Sequence, residues 1–215
     1  MTTLEQLSVV IVSPSDVKEE REALDRVIPR VNHIIAENLG FTLKALRWET
    51  DTIPGFHIDG PQALVDSTLN IEDCDILIGI FWKRFGTPTS DGKTGTEHEF
   101  HKAYEAWKKN KRPQIMLYFN QREYSPETSE ETEQHTAVLK FKEKIQKEGE
   151  GLYRDYVGLD QFKETVYDHL SLYLHKFKDC NASPVQLTPT SDKLLFEEAG
   201  KKDQLLIKDR SSITI

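Results

Sequence analysis

Two short runs constrain this chain more than anything else in it. Cys74 to Trp82 reads CDILIGIFW and Leu7 to Val12 reads LSVVIV, and neither alternates apolar with polar residues. A strand with one wet face alternates, so a continuous β-branched run marks a strand covered on both faces. Helical spacing follows each run. Leu24, Val27, Ile28, Val31, Ile34 and Ile35 repeat after the first, and Phe100, Ala103, Tyr104 and Trp107 after the second. Doubly covered strands alternating with amphipathic helices imply a parallel sheet between two helical layers.

The remaining elements extend that pattern. FTLKALRW (Phe41–Trp48) reads as a second strand, QIMLYF (Gln114–Phe119) as a fourth and LYRDYVG (Leu152–Gly158) as a short fifth. Pro61 opens a short helix carrying Leu64, Val65 and Leu69. Ala137, Val138, Phe141 and Ile145 mark another, and Phe162 through Phe177 a last. Pro29 predicts a kink or break in the first helix, and Asn38-Leu39-Gly40 its end. NQREYSPETSEETEQ, from Asn120 to Gln134, reads as an exposed acidic loop. The expected fold is α/β: an open, flavodoxin-like parallel sheet of about five strands in the order 2-1-3-4-5, with helices on both faces. Residues 1–177 form this domain. From KDCNASPVQLTPTSDK onward Ser, Thr, Pro and Asn dominate, so residues 178–215 read as linker and C-terminal tail.

Charge narrows the partners. The net charge of -8 argues against broad binding to nucleic acid or an anionic membrane surface, both of which need a basic face. The two cysteines, Cys74 and Cys180, stand in no metal-type spacing and fit a reducing compartment. No stretch reaches the roughly 20 apolar residues of a membrane span, and the N-terminus lacks a secretory pattern. A cytoplasmic protein is expected.

In an open α/β sheet ligands sit outside the C-terminal ends of the strands. The loops there are Ser13-Pro14-Ser15-Asp16, the segment from Trp48, and GTPTSDGKTGTEHEF from Gly86 to Phe100. The last suggests a phosphate loop, but it has five residues between its first glycine and Gly-Lys where the pattern needs four. Its end carries two overlapping capping-box pairs, Thr94 with Glu97 and Thr96 with Glu99. A glutamate so placed serves as a helix cap, or faces an anomeric carbon and supports oxocarbenium character as a base leaves. Helical spacing does not choose between Glu97 and Glu99. Arg84, beside Lys83, has the fork geometry for a diphosphate. Trp48 and Trp82 offer stacking surfaces or core packing, and Ser13 and Asp16 either bond a ribose or phosphate or cap a helix. His98 and His101 lack a third ligand, so no metal site is expected. Neither G-x-S-x-G nor G-x-G-x-x-G occurs at the expected places.

Three segments together, VVIVSPSDVKEEREAL, CDILIGIFWKRFGTP and SDGKTGTEHEFHKA, resemble the bacterial DUF4062 family, which is TIR-like and often forms the N-terminal part of larger proteins. Gly95-Thr96-x-x-Glu99 also resembles the GTxxE motif of nucleoside deoxyribosyltransferases, whose glutamate attacks the sugar. The resemblance implies an NAD+ glycohydrolase effector of prokaryotic antiviral defence, activated by oligomerisation. NAD+ would be its substrate and not a cofactor. Glu99 would be the catalytic residue, with Glu97 second, and Thr96 would join Ser13, Asp16, Trp48, Trp82 and Arg84 in binding substrate. The alternative that the resemblance leaves open is a non-catalytic interaction domain relaying a sensor or ATPase module, and after that, on the GTxxE match, an N-glycosidase of other nucleosides or nucleotides.

Overall fold

The computed structural model describes residues 3–47, 51–53, 55–58, 68–86, 95–148 and 151–181. Five strands form one sheet: β1 (Glu5–Val12), β2 (Phe41–Leu46), β3 (Ile76–Phe81), β4 (Gln114–Asn120) and β5 (Tyr153–Tyr156). The order is β2-β1-β3-β4-β5 and every pair is parallel, the flavodoxin-like arrangement expected from the sequence. Met1–Phe177 forms one compact unit. Most of 178–215, and most of the helix expected from Pro61, lie outside the described residues.

The helices whose bounds lie within the described residues are α1 (Lys18–Val31), α2 (Glu37–Leu39), α3 (Gly95–Asn110), α4 (Ser129–Glu148) and α5 (Leu159–Asn181). Side chains alternate across the sheet and divide the core. Val9, Ile11, Ile76, Ile78 and Ile80 pack with Leu24, Val27 and Ile28 of α1 and with Phe162, Val166 and Leu170 of α5. On the other face Val10, Val12 and Leu77 meet Ala103 of α3, and Phe81, Leu117 and Phe119 meet Val138 and Ile145 of α4. Gly79 lies on this second face, and a Cβ there would stand 2.7 Å from Leu117 Cδ2 and 3.2 Å from Phe81 Cε2. No side chain fits without displacing a packed neighbour.

Pro29 does not break its helix. α1 runs through it, and the next turn widens into a π turn at Asn32–Ala36 before α2 completes the element. The missing N–H removes one rung of the ladder, and the wider turn follows at once. Gly40, at φ 92°, ends the element in the left-handed region. Asn32 turns toward β2, where its Oδ1 accepts the Leu43 N–H at 2.7 Å and its Nδ2 donates to the Leu43 carbonyl at 2.8 Å.

The acidic loop is shorter than expected, because α4 already begins at Ser129. Thr128 Oγ1 accepts the Glu131 N–H at 3.1 Å, and Glu131 Oε2 accepts the Glu127 N–H at 2.8 Å. Thr128 thus caps α4, and Glu131 reaches back one residue past the cap, a variant of the capping box within a run that reads as simply acidic.

Candidate functional site

The strands' C-terminal edge is held together by charged side chains reaching between loops. After β1, Ser13 Oγ accepts a hydrogen bond from Arg21 Nη1 at 3.1 Å. Asp16 Oδ2 accepts the backbone N–H of Lys83 at 2.8 Å and of Arg84 at 3.2 Å, so the loop after β1 is fastened to the loop after β3. Asp16 does not cap a helix as its sequence position suggests; the first turns of this element have no side-chain cap.

Trp82 follows β3 and is braced on several sides. Its Nε1 donates to the Arg122 carbonyl at 3.3 Å, while Lys83 Nζ lies 3.8 Å and the Arg122 guanidinium 4.3 Å from its ring centroids. Arg84 forms a 3.7 Å ion pair with exposed Glu130 at the start of α4. Trp48 lies outside the described residues.

Beneath these loops lies a buried polar cluster. Glu20 on α1 is 1% exposed, and its Oε1 accepts from Asn120 Nδ2 and from Arg122 Nη2, each at 2.9 Å. Asn120 Oδ1 in turn accepts the Arg122 backbone N–H at 2.9 Å. Tyr156, opposite Asn120 in the sheet, brings its buried hydroxyl against Glu20 and Asn120 without good hydrogen-bond geometry. Burial, then the Glu20 carboxylate beside it, pushes the phenol far above its ordinary pKa. Sequence reasoning missed Glu20, Asn120, Arg122 and Tyr156. One signal for Glu20 was available: it stands one turn before Leu24 on the apolar stripe of α1, where a solvated glutamate has no place.

The two candidate glutamates of α3 part company. Thr96, Glu99, Ala103 and Ala106 form the buried stripe of the helix. Ala103 packs among Val10, Val12 and Leu77 of β1 and β3. Glu99, 6% exposed, is one turn nearer the C-terminal ends of those strands. The strand order reverses between β1 and β3, so this is the topological switch point of the sheet. Glu97 is on a different face. With His101, Tyr104 and Trp107 it lines a groove of about 640 Å³ between α3 and α4. The edge thus gathers Ser13, Asp16, Trp82 and Arg84 and sets Thr96 and Glu99 over the switch point, while Glu97 belongs to a separate cavity. Among the described residues no three His, Cys, Asp or Glu side chains gather as a metal site, and no helix is long and apolar enough to cross a membrane.

Translation elongation factor SelB from Methanococcus maripaludis, apo form, is similar at 11% identity and a TM-score of 0.40, over 87% of this chain and 37% of that one. The chain therefore spans little more than a third of that protein's length. An FMN-dependent NADH-azoreductase from Bacillus anthracis str. Ames Ancestor, in complex with FMN, is similar at 7% identity and a TM-score of 0.37, over 81% of this chain and 100% of that one. No curated protein matches. The model of the domain of unknown function DUF4062 matches residues 9–171, and the chain belongs to that family.

Proposed function

We propose that the chain is an N-glycosyl hydrolase that cleaves the nicotinamide–ribose bond of NAD+, with Glu99 as the catalytic carboxylate. The observation that carries this reading is the position of Glu99, a buried carboxylate at the fifth residue of the helix after the central strand, near the switch point. A carboxylate there stabilises positive charge developing at the ribose C1′ as the C–N bond breaks. Nicotinamide leaves with the bonding electron pair and loses its pyridinium charge, and water adds to the sugar C1′ and releases one proton to solvent. Arg84, whose ion pair with Glu130 is open to water, exchanges that partner for the diphosphate. Antiviral defence and activation by clustering belong to the same proposal.

The test is nicotinamide release from NAD+ by concentrated protein, repeated with a fused oligomerisation tag. The tagged protein releases nicotinamide, Glu99→Gln loses roughly a hundredfold or more in rate, and Glu97→Gln keeps most of it. Full activity in Glu99→Gln removes the assignment. Cleavage of free nucleosides with NAD+ left intact transfers the reading to another N-glycosidase.

A second reading, a non-catalytic interaction domain of a larger signalling protein, draws on a different observation. Ile53, Phe56 and Ile58 lie within six residues of one another and are 82%, 105% and 98% exposed. Three large apolar side chains held in water suit a protein partner. Silence toward NAD+ in the clustered protein favours this reading.

A further inference from the structure

We infer that the groove between α3 and α4 is a binding site for a small organic anion with a planar aromatic body. Its volume, about 640 Å³, lies within the range of small-molecule sites. One wall is a ladder of rings on α3: Phe100 and Tyr104 stand 5.8 Å apart and 13° from parallel, and Tyr104 and Trp107 5.8 Å apart and 12° from parallel. Phe141 of α4 meets Phe100 edge-on at 4.8 Å. Near-parallel rings along one wall favour a flat aromatic guest in offset stacking over a branched aliphatic one.

Charge sets the sign of the guest. Lys140 and Lys144, one turn apart on α4, line the groove against the single carboxylate of Glu97. Lys108 and Lys111 do not line the groove but hold two more ammonium groups on rings that do, 4.4 Å from the Tyr104 centroid and 4.5 Å from a Trp107 centroid. Glu105 offsets part of this, pairing with Lys108 at 3.7 Å. An anionic head at the lysines and an aromatic body along the ladder satisfy both features. The site is independent of Glu99, which lies on the sheet-facing stripe of the same helix.

The test uses the whole chain and the fluorescent aryl sulfonate 8-anilinonaphthalene-1-sulfonate. Saturable binding is expected, with energy transfer from Trp107 that Trp107→Phe removes. 1-Naphthoate displaces the probe, and 1-naphthylmethylammonium does not. Lys140→Glu, a change at an exposed position, weakens binding roughly fivefold. Ala137→Trp, which fills the groove, abolishes binding while circular dichroism stays native. Equal displacement by the naphthyl cation, or unchanged binding in both Lys140→Glu and Ala137→Trp, overturns the proposal. So does a dilution-dependent dimer that excludes the probe, which would make a second copy the occupant.

Discussion

Glu20 and Arg122, 102 positions apart in sequence, meet at 2.9 Å with the carboxylate almost wholly out of water and the guanidinium about one-third exposed. The pair is lopsided. Removing the arginine strands a buried charge that keeps the neutral Asn120 amide and Tyr156 hydroxyl beside it but no positive partner of comparable burial. Removing the carboxylate leaves a cation that still reaches solvent and has Glu19 at 4.0 Å. Arg122→Met therefore costs about 3 kcal/mol of stability, and Glu20→Gln about 1 to 2 kcal/mol. Urea denaturation of both variants checks the order, and a larger loss in Glu20→Gln contradicts it.

Asp16 performs a different task, because its partners are backbone groups. Asp16→Ala leaves the N–H groups of Lys83 and Arg84 without their acceptor, a loss of about 1 to 3 kcal/mol. Amide hydrogen exchange gives the local readout. Lys83 and Arg84 should exchange faster in Asp16→Ala, while Asp16→Asn, which keeps an acceptor oxygen, stays closer to the parent.

Gly79 is a packing constraint on the central strand. Gly79→Ala drives a methyl against Leu117 Cδ2 and costs about 1 to 3 kcal/mol. Leu117→Ala alone opens a cavity costing about 2 to 5 kcal/mol. The double variant is less destabilised than the sum, since each change relieves the other. Strict additivity in thermal melts would refute the steric account.

The two thiols should behave differently. Burial, and next the Asp75 carboxylate, push the Cys74 pKa up from 9.0 to about 12, whereas Cys180 is exposed. A disulfide reagent at pH 8 should titrate one thiol quickly and the second only on unfolding. The sign of the linkage follows from the raised value. The folded state holds its proton more tightly, so this contribution to stability is complete below pH 9 and is lost as pH rises toward 12.

The sheet was legible because its signals are local. Continuous runs at Leu7–Val12 and Cys74–Trp82 mark doubly covered strands, and short connections limit how they can be ordered. That a pair of glutamates stands near the start of the helix after β3 was legible for the same reason, although only Glu97 falls in its first turn. Which of the two faces the switch point was not, since helical spacing puts Glu97 and Glu99 on either side of the apolar stripe. The edge cluster was hidden more deeply. Asn120 reaches Glu20 across 100 residues, and nothing near either residue announces the other. Trp82 illustrates a third limit: an aromatic side chain at a strand end reads as a stacking surface until its neighbours, here Lys83 and Arg122, are found on its ring.

Asn32 presents the β2 side of the sheet with a hydrogen-bonding pair that imitates a neighbouring strand. An open strand edge is an invitation to growth, because any extended segment of another chain can lengthen the sheet there. By occupying both backbone groups of Leu43, one side chain withdraws that invitation at the middle of β2. The residue thus guards solubility as much as stability, and it does so from the widened turn that Pro29 precedes. Asn32→Ala would give up both bonds to Leu43 and lower the dilute melting point, and by exposing a ready pairing site it would add a second harm that shows only at high concentration, as ordered aggregate.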